Sequence, residues 1–236
     1  MAIPEYENSP ATTSAVGSVT VRELLPEPTL QRLPWYLAYV SQLRALGVEQ
    51  VSSTQISKQL NVDASQIAKD LSFLNIRGKT RIGYDVALLE TTLQDFLGFQ
   101  REHRAVMFGV GSLGAALIQD SGLTRYGLNI VAGFDNDPAK LGTIPTQGGS
   151  TPVFHIDTLT QHLGELRASI GIIAVPQSVA QEVADIAVAA GIKALWNFSP
   201  LRLHRLDGIV IQDTSIYSNL ALMYNRLEQQ KRKKEQ

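Results

Sequence analysis

The chain of 236 residues contains no cysteine, which excludes disulfides and thiolate chemistry and leaves a reducing compartment compatible with the composition. Histidine is scarce, and His103, His155, His162 and His204 stand without metal-ligand spacing, which argues against a zinc site. No long hydrophobic run occurs, because glycine breaks the apolar stretches well short of a membrane span. The first residues carry Glu5 and Glu7 rather than a basic, apolar leader, so a cytoplasmic protein is the expectation. Net charge is also nearly absent, at −1. With 44% hydrophobic residues there is enough apolar material for one large core or two small ones.

The small total charge conceals an asymmetry. Residues 1–28 hold four glutamates and one arginine, net −3, whereas residues 29–84 hold seven basic residues against three acidic ones, net +4. A polyanion partner for the second segment accounts for this, and an ordinary solvated face would look the same on charge alone. Residues 1–26 are rich in Ser, Thr, Pro and Glu and read as a flexible arm. "TLQRLPWYLAYVSQLRALG" (29–47) repeats apolar residues at helical steps, with Thr29 as N-cap, Gly47 as stop and Pro34 placed to kink it.

"SSTQISKQLNV" is a capped helix, Asn61 to Asp63 a short turn, and Ala64 to Leu74 a second helix whose apolar set is Ile67, Leu71 and Leu74. Helix, tight turn, helix is the pattern. With Ile67 and Leu71 inward, Ser65, Gln66, Lys69 and Ser72 lie on the opposite faces, residue types that bond phosphates and base edges. Lys58 adds charge to the first of the two helices. "NIRGKTRIGYD" then reads as a two-stranded wing whose Arg77, Lys79 and Arg81 rest on backbone phosphates. A plain helical hairpin shares the helix pattern, and the basic wing weighs against it. "DVALLETTLQDFLGF" follows as a connecting helix with Asp85 as N-cap.

"AVMFGVGSLGAALI" is an apolar strand followed by Gly109, Gly111 and Gly114 at the spacing G-x-G-x-x-G, opening into a helix. The first glycine permits the tight turn, the second admits a pyrophosphate, and the third lets helix and strand pack closely. Alone the pattern is weak. Here a strand "NIVAGFD" ends in Asp135, 21 residues after Gly114, where a carboxylate accepts ribose hydroxyls and repels a 2′-phosphate. NAD(H) is therefore expected over NADP(H). "IGIIAVP", "SVAQEVADIAVAAG" and "IKALWNFSP" continue the alternation, which predicts an α/β fold with a doubly wound parallel sheet.

Residues 103–212 fill about one nucleotide-binding domain and leave no separate substrate domain. His155 and His204 fall in loops with no companion carboxylate at suggestive spacing, and Val110 spoils a G-x-S-x-G reading of Ser112. A ligand-sensing protein fits better than an enzyme.

With these elements in this order, the chain resembles the Rex family of redox-sensing transcriptional repressors over roughly residues 26–228. The most specific stretches are "KDLSF" with "GKTRIGYDV", then "GVGSLGAAL", "GFDNDP", "AVP" and "NFSP". The resemblance implies an N-terminal winged helix-turn-helix, a Rossmann core binding NAD(H), and a homodimer joined by an exchanged C-terminal helix on palindromic operator DNA, without a membrane or a metal. Through those motifs it places Ser112, Leu113, Asp137, Val175, Pro176, Asn197 and Phe198 beside Gly109, Gly111, Gly114 and Asp135 in the cofactor site. The expected layout is an arm (1–26), a DNA-binding domain (27–86), a connecting helix (87–101), a Rossmann domain (102–212), and a dimerisation helix with a solvated basic tail (213–236).

"SIYSNLALMYNRLEQQ" supports the exchanged helix, since Ile216, Leu220, Met223, Tyr224 and Leu227 share one face. The chain departs from the family where the family reads the nicotinamide: Ala38 stands for arginine, Asp120 for tyrosine, and Ser215 and Ile216 for aspartate and phenylalanine. A repressor that binds NAD(H) but answers another signal is thus a second expectation. A small NAD-dependent oxidoreductase is a third.

Overall fold

The computed structural model describes residues 25–234. All but the last two residues of the expected arm lie outside the described residues. Two compact units are present, one ending at Leu89 and the other beginning at Glu90.

The N-terminal unit contains α1 (Glu27–Ala45), β1 (Gln50–Val51), α2 (Ser53–Leu60), α3 (Ala64–Ser72) and β2 (Tyr84–Asp85). Leu33, Leu37 and Val40 of α1 bury with Ile56 of α2 and Ile67 and Leu71 of α3, as the helical pattern implies, while Tyr36 joins them and Leu30 of the expected α1 stripe is exposed. The expected Thr29 cap is not one. α1 starts earlier, with Pro26 at the N-cap, and Thr29 is buried in its first turn. Gly47, at φ +75°, follows the helix end as expected. Ser52 caps α2 in a reciprocal box with Gln55, and Asp63 caps α3 by accepting the N–H groups of Ser65 and Gln66.

The two-stranded wing expected within 75–85 does not form. Tyr84–Asp85 pairs instead with Gln50–Val51, because Tyr84 and Val51 are both buried in the core. The charged stretch before it supplies only one bridge, Lys79 to Gly83, around a loop with Arg81 at φ +66°. The connecting helix, α4 (Val86–Leu97), is shorter than expected, and Asp85 caps it by accepting the Leu88 N–H at 2.8 Å. The division between the units falls within α4.

In the C-terminal unit the order is β3 (His103–Phe108), α5 (Ser112–Gln119), α6 (Ser121–Arg125), β4 (Leu128–Asp135), β5 (Gly142–Thr146), β6 (Gly149–His155), α7 (Leu159–Leu166), β7 (Ile170–Ile173), α8 (Ala180–Ala189), β8 (Ala194–Asn197), β9 (Val210–Asp213) and α9 (Ile216–Lys234). One seven-stranded sheet runs β5-β6-β4-β3-β7-β8-β9. Every pairing is parallel except β5 with β6, so the expected all-parallel sheet carries one antiparallel edge strand. The sheet's two faces pack separate apolar clusters, one around Phe108, Phe134 and Leu195, the other around Met107, Ile118 and Ile172. Strand order reverses between β3 and β7, which opens a crevice at their C-terminal ends, the place where such sheets bind ligands.

Candidate functional site

Two surfaces carry the residues singled out above. In the N-terminal unit, α3 is pinned by Asp70, which is fully buried. Its carboxylate accepts from Thr29 Oγ1 (3.0 Å), Arg32 Nε (2.7 Å) and Nη2 (2.8 Å), Tyr36 OH (2.7 Å) and Gln66 Nε2 (2.8 Å). Burial alone would raise the Asp70 carboxyl, but the donors from Arg32, Tyr36, Gln66 and Thr29 outweigh it and hold the group below the usual carboxylate range. The same contact, with its charge, raises Arg32, while burial followed by the bond to Asp70 raises Tyr36.

This cluster was missed in the sequence. Its signal was there: Asp70 falls in the inward stripe with Ile67, Leu71 and Leu74, where an acid has to be paired.

The cluster changes what the outward residues offer. Gln66 is half-buried and spends an amide N–H on Asp70, and Ser65 Oγ donates to Asp63 at 2.5 Å. Ser72 Oγ donates back to the Lys69 carbonyl at 2.7 Å. Lys69 is exposed on α3, as are Lys58 on α2 and Arg77, Lys79 and Arg81 in the basic loop. Lys69 is therefore the α3 side chain best able to meet a phosphate, and if α3 makes the operator contact that the resemblance implies, Lys69→Ala should weaken that binding and flatten its salt dependence by a slope of about 0.9. Anisotropy titrations at several salt concentrations measure both, and unchanged values would remove α3 from the interface.

In the C-terminal unit, a cleft of about 680 Å³ opens at the β3/β7 switch point. Gly109, Gly111, Leu113, Asp135, Val175, Pro176 and Phe198 line it, seven of the residues named from sequence. Its volume is within the range that holds a small-molecule cofactor. Gly109 stands at φ +85°, and a Cβ there would lie 2.7 Å from the Ala174 carbonyl oxygen, so the turn requires glycine. A Cβ on Gly114 would run into the Gly109 carbonyl, which confirms its packing role. Around Gly111 a Cβ would meet nothing within 4 Å. Gly111 also caps α5 without any side-chain bond, leaving the first N–H groups of that helix to an anion. Open space beside an uncapped helix start fits a dinucleotide pyrophosphate.

Asp135, expected as a ribose acceptor, lines the cleft and also holds the loop. It is only 6% exposed and already accepts from Val110 N (2.7 Å), Asp137 N (3.0 Å) and Lys140 Nζ (3.3 Å). Burial pushes its carboxyl up, and those donors pull it below the ordinary range. It clamps the glycine loop and retains a small face to the cleft.

Ser112, Gly114, Asp137 and Asn197 do not line the cleft. Ser112 is exposed as the first residue of α5, and Asp137 caps the short turn 138–140. Asn197 is buried because it holds the neighbouring wall: it donates to the Leu201 carbonyl (2.7 Å) and Asp213 (2.8 Å) and accepts the Ser199 N–H (3.0 Å). His155 ends β6 rather than lying in a loop, and the Asp157 carboxylate is 3.3 Å from its Nδ1. Among the described residues, no cluster of His, Asp or Glu could hold a metal ion, and no helix is long and apolar enough to cross a membrane.

Residues 25–72 match the family model described as putative DNA-binding protein N-terminus, and residues 100–201 match the CoA binding domain. The redox-sensing transcriptional repressor Rex of Bacteroides fragilis is 54% identical over 203 residues, covering 86% of this chain and 91% of that protein. The Rex protein of Porphyromonas gingivalis is 52% identical over 216 residues, covering 92% and 98%. Among solved structures, RSP in complex with β-NAD+ and operator DNA superimposes with a TM-score of 0.81 at 29% identity, covering 90% of this chain and 96% of that one. RSP with β-NADH gives 0.78 at 30% identity, covering 90% and 98%.

Proposed function

This chain belongs to the Rex family of redox-sensing transcriptional repressors, and from that premise we infer how its own residues divide the work. It is a DNA-binding repressor regulated by NAD(H), not an enzyme. We assign operator contact to residues 27–86, with Lys69, Lys58 and the loop cations Arg77, Lys79 and Arg81 on phosphates. Residues 102–212 take the dinucleotide, with the pyrophosphate at Gly111 and the α5 N-terminus. The observation that carries this reading is the open space at Gly111 beside a helix start without a side-chain cap.

Assembly as a homodimer on a palindromic operator, in the cytoplasm, completes the reading. Its support is α9, a helix of 19 residues whose Ile216, Met223, Tyr224 and Leu227 are 59%, 50%, 55% and 48% exposed in the single chain. A second copy covering that stripe would bury it.

Operator binding titrated with NADH and with NAD+ tests the regulation. Ala38, Asp120, Ser215 and Ile216 lack the groups with which relatives distinguish the two nucleotides. Asp120 is occupied by the Gly122 N–H, and Ser215 Oγ accepts the Ser218 N–H at the start of α9. NADH is therefore expected to weaken operator binding by less than about tenfold, ~1.4 kcal/mol. A hundredfold release specific to NADH would show that other residues carry the switch. Indifference to both nucleotides would favour a repressor answering another signal.

A further inference from the structure

The C-terminal end of α9 carries more charge of one sign than a helix end needs. Residues 226–236 hold five basic residues against Glu228 and Glu235, net +3, nearly the +4 of the whole stretch 29–84. A cation or two in the last turn complements the helix dipole. Here four follow in succession, Lys231–Lys234, and all four are helical. Lys231, Arg232 and Lys233 are exposed. Lys231 pairs with Glu228 at 2.8 Å, whereas among the described residues no acid pairs with Arg232 or Lys233. Like charges one turn apart repel, so the tract holds positive charge that a polyanion would offset. Its composition selects the kind of polyanion. Protein interfaces are depleted of lysine and enriched in aromatic anchors, and a membrane-surface helix sets apolar residues beside its cations. Residues 228–234 read Glu, Gln, Gln, Lys, Arg, Lys, Lys, with no apolar or aromatic member. Nucleic-acid phosphates require neither. Four successive positions exceed one turn of 3.6 residues, so positive charge surrounds the helix end and can meet phosphates on either side of it. The apolar stripe assigned above to a second copy stops at Leu227, and the tract lies beyond it.

We propose that Lys231–Lys234 form a second, sequence-independent DNA-binding surface, which takes backbone phosphates outside the contacts made by residues 27–86. The proposal rests on the reading of the chain as a DNA-binding repressor. Backbone phosphates carry no sequence information. The tract therefore raises affinity for operator and random DNA alike and leaves the choice between them to the N-terminal unit.

Anisotropy titrations over a range of salt concentrations test this on the full chain, with an operator duplex and a random duplex of equal length. The neutral variant is K231Q/R232Q/K233Q/K234Q, and K231R/R232K/K233R/K234R is the control that keeps the charge. The neutral variant should bind random DNA at least about tenfold more weakly at low salt, with a salt slope flatter by about 2 or more, while the control keeps the parent's values. Operator affinity should fall by the same factor, so that the preference for operator is retained. Unchanged affinity and slope on random DNA overturn the proposal. So does a control that loses affinity together with the neutral variant, because the structure of α9 rather than its charge would then be responsible. Binding to phosphatidylserine vesicles that the neutral variant loses, with DNA binding unchanged, would assign the tract to a membrane surface and overturn it as well. A parent with no preference for the operator overturns the operator reading of residues 27–86, not the tract's role, which the salt slope on random DNA still decides.

Discussion

Asp70→Ala should unfold the N-terminal unit at temperatures where the parent is intact. The carboxylate is fully buried, and the Arg32 guanidinium paired with it is only 21% exposed. Removing one member of such a pair leaves the other desolvated without compensation, a loss of about 3–5 kcal/mol. That is a large part of the ~5–15 kcal/mol that holds a domain together. Tyr36, Thr29 and Gln66 would lose an acceptor in the same step. Arg32→Met should cost as much by leaving the carboxylate unpaired, and Tyr36→Phe less, about 1.5–3 kcal/mol for one bond to a charged group.

Hydrogen exchange on the full chain measures the effect where it matters, at the amides of α1 and α3. Protection there equal to the parent's would mean that the cluster contributes little. The pH dependence has a definite sign. The Asp70 carboxyl is held below its unfolded value, so its contribution is complete above about pH 4 and is lost as pH falls through the lower folded value. The N-terminal unit should therefore be acid-labile only below about pH 4, with no change through neutrality.

Asp70 also shows what the sequence did and did not make legible. Glycine spacing could be read directly, because the turn at Gly109 and the contact of Gly114 are demands of backbone geometry that no other residue meets. The helical stripes could be read for a similar reason, since Ile67 and Leu71 recur at the helix period. Asp70 stood inside that stripe, but apart from Gln66 its partners lie on α1, about forty residues away in sequence, so only the tertiary fold reveals the network. Asn197 misled for the opposite reason: a polar residue at a strand end looks alike whether it faces a ligand or ties down the next loop. The β5–β6 hairpin was hidden by Pro145 and Pro152, which argue against a strand: Pro145 is tolerated because β5 is the sheet's edge, and Pro152 because β6 pairs with β4 only from Val153 onward. The wing failed because pairing was sought within the basic stretch, while the partner of Tyr84 was Val51, far upstream.

Gly111→Ala should abolish dinucleotide control while leaving the fold and operator binding in place. Among the three fingerprint glycines this is the one whose replacement separates the two. Alanine at Gly109 faces a positive φ and a carbonyl at 2.7 Å, and alanine at Gly114 overlaps the Gly109 carbonyl, so either would disturb the loop before any ligand is considered. Gly111 has φ −76°, which any L-residue adopts, and its added methyl would enter open space. Loss of glycine at the helix cap should cost only about 0.5 kcal/mol. The same methyl would stand where a pyrophosphate must approach the N–H groups opening α5. Displacing the phosphates would forfeit one or two charge-assisted hydrogen bonds of about 1.5–3 kcal/mol each. A loss near 3 kcal/mol corresponds to at least about a hundredfold in NADH affinity. Calorimetry with NADH should therefore show that loss, the thermal midpoint should stay close to the parent's, and operator affinity without nucleotide should be retained. Any release of DNA that NADH causes in the parent should vanish at the same NADH concentration. Wild-type NADH affinity in this variant would place the pyrophosphate elsewhere, because no ligand held against the backbone at Gly111 can ignore a methyl group there.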